Sequence, residues 1–312
     1  MRKAVLLYNP LSGPRRQRRH ADVEAAAAVL REAGVQTVTE ATRGQAEVAA
    51  QTRQAIANGC DTIFACGGDG TVHDVLQSLV GSDATLGVIP LGTANALAHD
   101  IGLPLNAVAA ARSALAATSK RIGVGQVEFQ GFKGNRGWRY FTVAAGVGVD
   151  AHLFYQLSPL LKSRLGMAAY YAKATHLWMT HPLLHFAVEV TGSPVASTAE
   201  VSQLLAVRIR NFGGVVRELA PGASLARNDL RLVLFRTRSR WAYLRYILRG
   251  LFAQPWAVRG IELHSGESVT CHTLTDSSHR DSRIFVEADG ELLGTLPASI
   301  TMVPDALNLL MP

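Results

Sequence analysis

Cysteine is scarce in this chain of 312 residues, which contains only Cys60, Cys66 and Cys271. The three are odd in number, widely spaced and without a Cys-x-x-Cys pair, which argues against a disulfide framework and against a zinc site. This usage is typical of proteins from a reducing compartment.

Long apolar runs are missing as well, since no uncharged stretch approaches the roughly 18 to 20 residues that a membrane-spanning helix needs. The apolar start Ala4–Tyr8 is cut short by Asn9 and Pro10, which favours a first β-strand over a signal peptide. We expect a cytoplasmic protein that is soluble or peripherally associated with the membrane.

Acidic residues are fewer than basic ones, 24 against 31, and the net charge is +7. This charge favours an anionic partner, which leaves a nucleotide, an anionic membrane surface or nucleic acid. The sequence has no zinc-finger spacing, no aromatic RNA-binding signature and no basic helix with heptads, so we expect no nucleic-acid partner. The oligomeric state is open, with a homodimer among the alternatives.

Hydrophobic periodicity divides the chain into an α/β part and a β-rich part. In the first part, the pattern predicts a parallel sheet flanked by helices. The predicted strands are Lys3–Tyr8, Val35–Glu40, Thr62–Cys66 and Thr85–Ile89, and the predicted helices are His20–Ala33, Gln45–Ala57, Val72–Leu79 and Asn106–Ala117. Gly34 and Gly59 are predicted to end the first two helices.

From about Arg121, the pattern predicts a mostly antiparallel β-sandwich domain. Its predicted strands are Val124–Phe129, Trp138–Ala144, Phe186–Thr191, Ser202–Arg210, Leu230–Arg236, Gly260–Cys271 and Arg283–Ala288. We place the two domains at residues 1–122 and 123–300, followed by a C-terminal segment, 301–312, that can return to the first domain.

The most informative segment starts at Cys66, where Gly67, Gly68 and Gly70 stand between a buried strand and a helix. Glycines let the backbone approach phosphate oxygens, and the helix start offers N–H groups and the positive end of its dipole. The segment therefore predicts a nucleotide phosphate site, with Asp69 as the carboxylate that holds Mg²⁺. An ordinary strand-to-helix turn is the alternative.

A second motif, Val88–Ala98, repeats the order of strand, glycine turn and helix around Gly92. Thr93 is predicted to start the helix, where its hydroxyl caps the helix or binds phosphate, and Asn95 offers a donor and an acceptor. Because both turns follow neighbouring parallel strands, we expect them to lie together at the carboxyl edge of the sheet, where open α/β sheets bind ligands.

The motifs GGDGTVHDVL and PLGTANALA resemble the nucleotide-binding motifs of the diacylglycerol kinase catalytic-domain family, which includes sphingosine and ceramide kinases and bacterial soluble lipid kinases. Asn9–Gly13 is similar to the family's Asn-Pro-x-Ser-Gly start, and Asp289–Glu291 is similar to its Asp-Gly-Glu motif. The resemblance therefore covers nearly the whole chain. GGDGT alone also resembles a motif of NAD kinases and phosphofructokinases.

The resemblance implies an α/β ATP-binding domain, a β-rich lipid domain and a reaction that uses ATP and Mg²⁺. The implied nucleotide contacts are Asn9, Thr42, Gly67, Gly68, Asp69, Gly70, Thr71, Val72, His73, Gly92, Thr93 and Asn95. Thr42 has a plain helix N-cap as its alternative role, and Asn9 has that of a turn residue before Pro10.

For catalysis, the resemblance implies Glu291 as the general base that accepts the hydroxyl proton. It implies Asp289 as the residue that orients water or Mg²⁺ beside Glu291, and Asp69 completes the catalytic set. The Asp289-Gly290 pair is also a strong signal for a tight hairpin. The two interpretations are compatible.

The family often holds a structural Mg²⁺ with an acidic residue and flanking carbonyl groups. The candidate ligands in the matching segment here are Leu225, Asn228, Asp229 and Leu230. Asn228 occupies the acidic position and compensates charge more weakly, so the second metal depends on Asp229 replacing it.

Two segments rich in large apolar, aromatic and basic residues predict contact with lipid: Leu153–Leu161 with Met167–Met179, and Arg238–Phe252. The alternative for each is a core helix with a solvated basic edge. A further basic cluster predicts a solvated helix start: Arg15, Arg16, Arg18 and Arg19. The alternative is that Arg15 or Arg16 faces phosphate or lipid head groups, since a helix start disfavours positive charge without an anion nearby.

The sequence thus predicts an ATP-dependent lipid kinase of phospholipid biosynthesis, with diacylglycerol as the leading acceptor and sphingoid bases or another glycerolipid next. One alternative is an NAD or sugar kinase, which would need no lipid or detergent. The other is a regulator that binds nucleotide or lipid without turnover, which the unusual residues His73, Ala96 and Asn228 make conceivable.

Overall fold

A computed structural model describes residues 1–10, 16–149, 183–192, 197–213, 218–252, 257–274 and 283–312. The predicted lipid-facing segments Leu153–Leu161 and Met167–Met179 lie outside these residues, as do positions 11–13 of the N-terminal motif. The chain forms two compact units. The first contains Met1–Val124, Asn211–Val215 and Val303–Pro312, and the second contains Gly125–Arg210 and Val216–Met302.

The first unit is a parallel sheet flanked by helices, as the sequence predicts. Its strands are β1 (Lys3–Tyr8), β2 (Gln36–Ala41), β3 (Thr62–Gly67) and β4 (Thr85–Pro90), in the spatial order β4, β3, β1, β2. Asn308 and Leu309 of the last strand, β15 (Glu291–Met311), pair in parallel with β4. A 3-10 turn spans Arg16–Arg18, and the helices are α1 (Arg19–Glu32), α2 (Gln45–Ala57), α3 (Asp69–Leu79), α4 (Ala96–Asp100) and α5 (Ala107–Ala116).

Apolar burial on the sheet explains this layered arrangement. Strand β3 is buried along its whole length, as expected for a central strand covered by helices. Leu6 and Phe64 belong to the core that the sheet forms with α1 and α5. After α1 and α2, Gly34 and Gly59 take positive φ angles of 86° and 81°, so both predicted helix stops are confirmed.

The second unit is built from antiparallel strands. The first strand, β5 (Thr118–Gln130), belongs to this unit from Gly125 onward. The others are β6 (Arg136–Phe141), β7 (Ala144–Gly148), β8 (Phe186–Thr191), β9 (Ser197–Val201), β10 (Gln203–Val207), β11 (Leu230–Phe235), β12 (Ile261–Gly266), β13 (Ser268–Thr273) and β14 (Phe285–Ala288). In the sheet, hydrogen-bonded neighbours follow the order β12, β11, β10, β7, β14 and β15. On a second path, β15 pairs with β13, β13 with β8, and β8 with β9. Strand β6 pairs with β5. Helix α6 spans Arg240–Phe252.

Two predicted strands of this unit are each two strands in the structure. The run Trp138–Ala144 breaks between β6 and β7 because the backbone N–H groups of residues 142–144 bind a carboxylate rather than a neighbouring strand. The run Gly260–Cys271 breaks at Glu267, whose N–H donates to the Thr191 carbonyl and whose carbonyl accepts from the Met302 N–H. Both interruptions depend on partners that are distant in sequence.

Candidate active site

Four loops of the first unit are joined at the carboxyl edge of its sheet. The Asn9 N–H donates to the Cys66 carbonyl at 3.4 Å, and the Thr42 N–H donates to the Tyr8 carbonyl at 2.8 Å. The Leu91 N–H donates to the Gly67 carbonyl at 2.8 Å. These bonds bring the segments after β1, β2, β3 and β4 to one edge, where parallel α/β sheets bind ligands.

The two glycine turns touch each other through their backbones, as the sequence predicts. A Cβ atom added to Gly92 would lie 2.3 Å from the Gly68 Cα, and one added to Gly68 would lie 3.2 Å from the Gly92 Cα. Because the opposing atoms are backbone atoms, no rotamer change could relieve the closer clash. Glycine is therefore required at position 92 by the approach of the other turn.

Helix α3 begins directly at the first turn, with Gly68 as its N-cap residue. The Thr71 and Val72 N–H groups donate to the Gly68 carbonyl, at 3.0 and 3.1 Å, so they take part in the helix itself. The N–H groups at the very start of a helix have no acceptor within that helix, and the dipole is positive there. The backbone N–H groups that suit an anion are thus those of Gly68, Asp69 and Gly70. This is a shorter set than the nucleotide contacts Gly67–Thr71 that the resemblance implies.

Thr71 covers the end of strand β3. Its hydroxyl oxygen would lie 2.2 Å from a Cβ on Gly67, so only glycine fits beneath it. The Thr71 side chain is buried, at 5% exposure, and those of Val72 and His73 are buried as well. The side chains of these three residues are therefore part of the unit's interior, beside their predicted role as nucleotide contacts.

Asp69 ties the two turns together, and Asn95 fixes the second turn internally. The Asp69 Oδ1 accepts a hydrogen bond of 2.7 Å from the Ala96 N–H, at the start of α4. Asn95 adopts a left-handed conformation with φ 51°, and its side chain bonds both the N–H and the carbonyl of Gly92, at 2.9 and 3.2 Å. The carboxylate of the first turn thus fixes the helix that follows the second turn.

One predicted helix start is wrong, and so is one alternative N-cap role. Asn95, and not Thr93, is the N-cap of α4, and Thr93 is exposed in the turn before it. Likewise Gly44, and not Thr42, is the N-cap of α2. In both places the N-cap residue adopts a positive φ angle, 119° at Gly44 and 51° at Asn95, and stands two residues after the threonine.

A cavity of about 490 Å³ adjoins the second turn on the side of α1 and α5. It is lined by Gly92, Thr93 and Asn95 together with Arg19 and Asp22. Arg19 is only 3% exposed, so the prediction of a fully solvated basic helix start is wrong for this residue. Burial lowers the pKa of Arg19, against the opposing effect of Asp22. Sequence alone did not distinguish this buried arginine from the exposed Arg18, while Arg15 lies outside the described residues.

In the second unit, Asp289 and Gly290 form the predicted tight hairpin between β14 and β15. Both residues have positive φ angles, 49° and 82°, as a type I′ turn requires. The Asp289 carboxylate, 9% exposed, accepts hydrogen bonds from the backbone N–H groups of Thr142, Val143 and Ala144 at 2.9–3.1 Å. Its own N–H donates to the Ala144 carbonyl at 2.8 Å. Asp289 therefore anchors the hairpin.

Glu291, the predicted general base, is the first residue of β15 and is half-buried. It pairs across the hairpin with Ala288. A third carboxylate, that of Glu287, is 4% exposed and accepts a 2.9 Å hydrogen bond from the Gly290 N–H. Sequence patterns alone did not place Glu287 among the site residues. The signal that could have identified it is its charge within the otherwise apolar strand β14.

The candidate ligands of the structural metal are engaged with arginine residues. The Leu225 carbonyl accepts from the Arg208 guanidinium at 3.3 Å, and the Asp229 carbonyl does so at 2.7 Å. The Asp229 carboxylate forms an ion pair with Arg227, whose hydrogen bond lowers the pKa of Asp229. Asn228 is exposed. Within the described ranges, no three His, Cys, Asp or Glu side chains are grouped so as to hold a metal ion.

Comparison with known protein families covers both units. The family model for the diacylglycerol kinase catalytic domain matches residues 3–127, and the model for the YegS C-terminal NAD kinase beta sandwich-like domain matches residues 142–311. These matches confirm the predicted fold class, an α/β nucleotide-binding domain followed by a β-rich antiparallel domain.

Individual relatives match along nearly their whole length. The diacylglycerol kinase of Bacillus subtilis (strain 168) is 28% identical over 315 residues, which cover 100% of this chain and 97% of the relative. The diacylglycerol kinase of Mycobacterium tuberculosis (strain ATCC 25618 / H37Rv) is 31% identical, with 99% and 95% covered.

Solved structures share the fold. A crystal structure of a diacylglycerol kinase from Bacillus anthracis str. Sterne matches with a TM-score of 0.71 at 20% identity, covering 99% of this chain and 97% of that one. Yeast NADH kinase complexed with NADH matches with a TM-score of 0.52 at 10% identity, covering 100% of this chain and 84% of that one.

Proposed function

The chain belongs to the diacylglycerol kinase family and is a kinase that phosphorylates an alcohol group of a lipid, and we propose that it transfers the γ-phosphate of ATP to the hydroxyl of a diacylglycerol. The observation that carries this proposal is the contact between the two glycine turns at the start of α3. It supports the proposal because it places two glycine backbones and a helix start where phosphate groups are bound in such sheets.

The nucleotide phosphates would bind the N–H groups of Gly68, Asp69 and Gly70, where the positive end of the α3 dipole favours negative charge. The turn around Gly92 would form the opposite wall of this phosphate site. Asp69 bonds the helix start after the second turn, and Asn95 fixes Gly92 within that turn, so both turns are held in place without the nucleotide. A site that is already formed spends no binding energy on ordering itself.

Mg²⁺ would enter with ATP, and the Asp69 carboxylate would hold it beside the phosphates. Oxygen ligands suit this ion, and it usually binds through one or two carboxylates together with phosphate oxygens. When bound, it would neutralise charge on the transferred phosphoryl group. The residues of the turn fit this role with a single carboxylate, because phosphate oxygens and waters would supply the remaining ligands.

The proton of the acceptor hydroxyl would pass to the Glu291 carboxylate, which is the general base in this proposal. Glu291 directly follows a turn whose two residues are fixed. Asp289 binds three backbone N–H groups, and Gly290 donates to the buried Glu287. Asp289 and Glu287 would thus act as positioning residues that set the direction of the Glu291 side chain.

Peripheral membrane binding would be served by the outward face of α6. Tyr243 and Tyr246 on its inner face are buried, which agrees with the packed-helix interpretation of this segment. On its outer face, Trp241 is 72% exposed and lies near the exposed Arg245. Aromatic and basic side chains together favour an anionic lipid interface. In the part of the chain that is described, no helix is both long and apolar enough to cross a membrane.

The proposal is tested by incubating the full chain with γ-labelled ATP, Mg²⁺ and detergent-dispersed diacylglycerol, sphingosine or total lipid, with NAD in a parallel reaction. We expect label on diacylglycerol, because the family match favours a glycerolipid acceptor. An Asp69→Asn chain is the matched control for contaminating kinase, and it should transfer no label.

Other products of the same assay would overturn the proposal. Label on NAD alone would identify an NAD kinase, and label on sphingosine alone would move the acceptor to the sphingoid bases. ATP binding without any labelled product would favour the regulator, which binds nucleotide without turnover.

A further inference from the structure

The loop Leu219–Asp229 of the second unit is held by arginine side chains. Arg249 donates to the Leu219 carbonyl at 2.8 Å, and Arg231 donates to the Pro221 carbonyl at 2.7 Å. Arg208 donates to three further carbonyls of the same loop. Five backbone carbonyl oxygens of this loop thus accept hydrogen bonds from three guanidinium groups, so the cations inside the loop are arginine side chains of the same chain.

Arg208 is the most deeply buried of these arginines, at 1% exposure, and directly follows β10. Its Nη1 donates to the carbonyls of Arg227 and Asp229 at 2.8 and 2.7 Å, and its Nη2 donates to that of Leu225 at 3.3 Å. Its backbone N–H is fixed to the Val143 carbonyl at 2.9 Å. The planar guanidinium thus sits among converging carbonyl oxygens, an environment that suits a cation.

This arrangement does not fit a divalent ion at the same loop. Magnesium needs about six oxygen ligands and calcium six to eight, and carboxylates usually supply part of the negative charge. Here the carbonyls of Leu225 and Asp229 accept from Arg208, and the Asp229 carboxylate is paired with Arg227. A second cation would also be repelled by the guanidinium over a few ångströms in a buried site.

We propose that the Arg208 guanidinium is the built-in cation of the loop Leu219–Asp229, and that this loop folds without a structural metal ion. The carbonyls of the predicted metal ligands Leu225 and Asp229 accept hydrogen bonds from Arg208 instead. A neutral residue suffices at Asn228, because there is no divalent ion whose charge must be balanced. Burial lowers the pKa of Arg208 to about 10, which leaves the group charged at neutral pH. The proposal is independent of the identity of the phosphoryl acceptor.

The first test measures the thermal unfolding midpoint of the full chain, without nucleotide, in EDTA, in MgCl₂ and in CaCl₂. An ion that binds only the folded state would raise the midpoint in proportion to its occupancy. We expect the same midpoint in all three solutions, for the wild type and for Asn228→Asp. If MgCl₂ or CaCl₂ raised the midpoint of the wild type but not that of Asp229→Asn, a metal ion would bind at this loop and the proposal would be overturned. If the same salt also raised the midpoint of Asp229→Asn, the ion would bind elsewhere in the protein, and the proposal would be supported.

The second test replaces the cation. Arg208→Met keeps the apolar stem of the side chain and removes the guanidinium, leaving three carbonyls in buried or partly buried contacts without their donor. We expect the midpoint to fall by about 5 °C or more, given the cost of unsatisfied buried polar groups and the size of the unit. Arg236→Met is the matched control, because the Arg236 side chain is half exposed and pairs with Glu262 at the surface. Its midpoint should change little.

Arg208→Lys covers the case in which Arg208→Met does not fold. Lysine keeps the positive charge but lacks the planar fork, so it cannot bind three carbonyls in the same geometry. We expect its midpoint to lie between those of the wild type and Arg208→Met. Wild-type stability of both Arg208→Met and Arg208→Lys would show that the loop does not depend on this cation. These readouts need no activity, so a failed transfer assay would leave them interpretable.

Discussion

Gly92→Ala is expected to weaken ATP binding by about 5- to 150-fold, the effect of an overpacking cost of about 1–3 kcal/mol. The new methyl group would lie 2.3 Å from the Gly68 Cα and 2.7 Å from the Asn95 Oδ1. Neither turn could keep its position, because Gly68 is the N-cap of α3 and Asn95 holds Gly92 itself. Titration of ATP by calorimetry would measure the loss.

Two variants of the same region provide the controls for Gly92→Ala. In Gly68→Ala the added Cβ would lie 3.2 Å from the Gly92 Cα, so a shift of a few tenths of an ångström suffices and the loss should be smaller. Ala94→Ser adds one atom at an exposed position of the second turn and should bind ATP as the wild type does. Wild-type affinity in Gly92→Ala would mean that the contact between the turns is unrelated to the nucleotide.

Glu291→Gln is expected to lower the rate of phosphoryl transfer by about 10²- to 10⁴-fold, the range typical of a lost general base. Glutamine has the same shape, so the hairpin should remain intact and the affinity for ATP should stay unchanged. Steady-state transfer to diacylglycerol and a separate ATP titration would measure the two quantities. Full turnover in Glu291→Gln would show that another group accepts the proton.

Asp289→Asn is the comparison that separates chemistry from architecture. The Asp289 carboxylate accepts three backbone N–H groups, whereas an amide has one acceptor oxygen and would turn an NH₂ group toward donors. We expect a loss of about 1–3 kcal/mol in the free energy of unfolding, as for other buried donors left without an acceptor. Glu291→Gln should leave that free energy unchanged. Equal destabilisation by both substitutions would assign Glu291 a structural role.

The parts of the fold that sequence patterns predicted are those governed by local chemistry. Strand β1 and helix α2 have the predicted bounds because burial and helical periodicity are local properties of the chain. The contact between the Gly68 and Gly92 turns also followed from sequence, since both turns come after neighbouring parallel strands. Local patterns therefore located the candidate phosphate site.

Features that depend on partners distant in sequence could not be predicted in this way. The break between β6 and β7 arises from Asp289, whose carboxylate binds backbone groups about 146 positions earlier in the chain. The burial of Arg208 was hidden for the same reason, because its acceptors are carbonyl oxygens, which every residue carries. Thr93 was misplaced at a helix start because the left-handed backbone of Asn95 leaves no trace in hydrophobic periodicity.

The most direct measurement of the candidate site is exchange of backbone amide hydrogens with and without MgATP. N–H groups in the first turn of a helix have no partner within the helix, so they exchange quickly until a ligand binds them. We expect MgATP to slow exchange in the peptides that cover Gly68–Gly70 and Thr93–Asn95, and to leave the β6 peptide Arg136–Phe141 unchanged. ATP binding without slower exchange in either turn would contradict a phosphate site at the paired glycine turns.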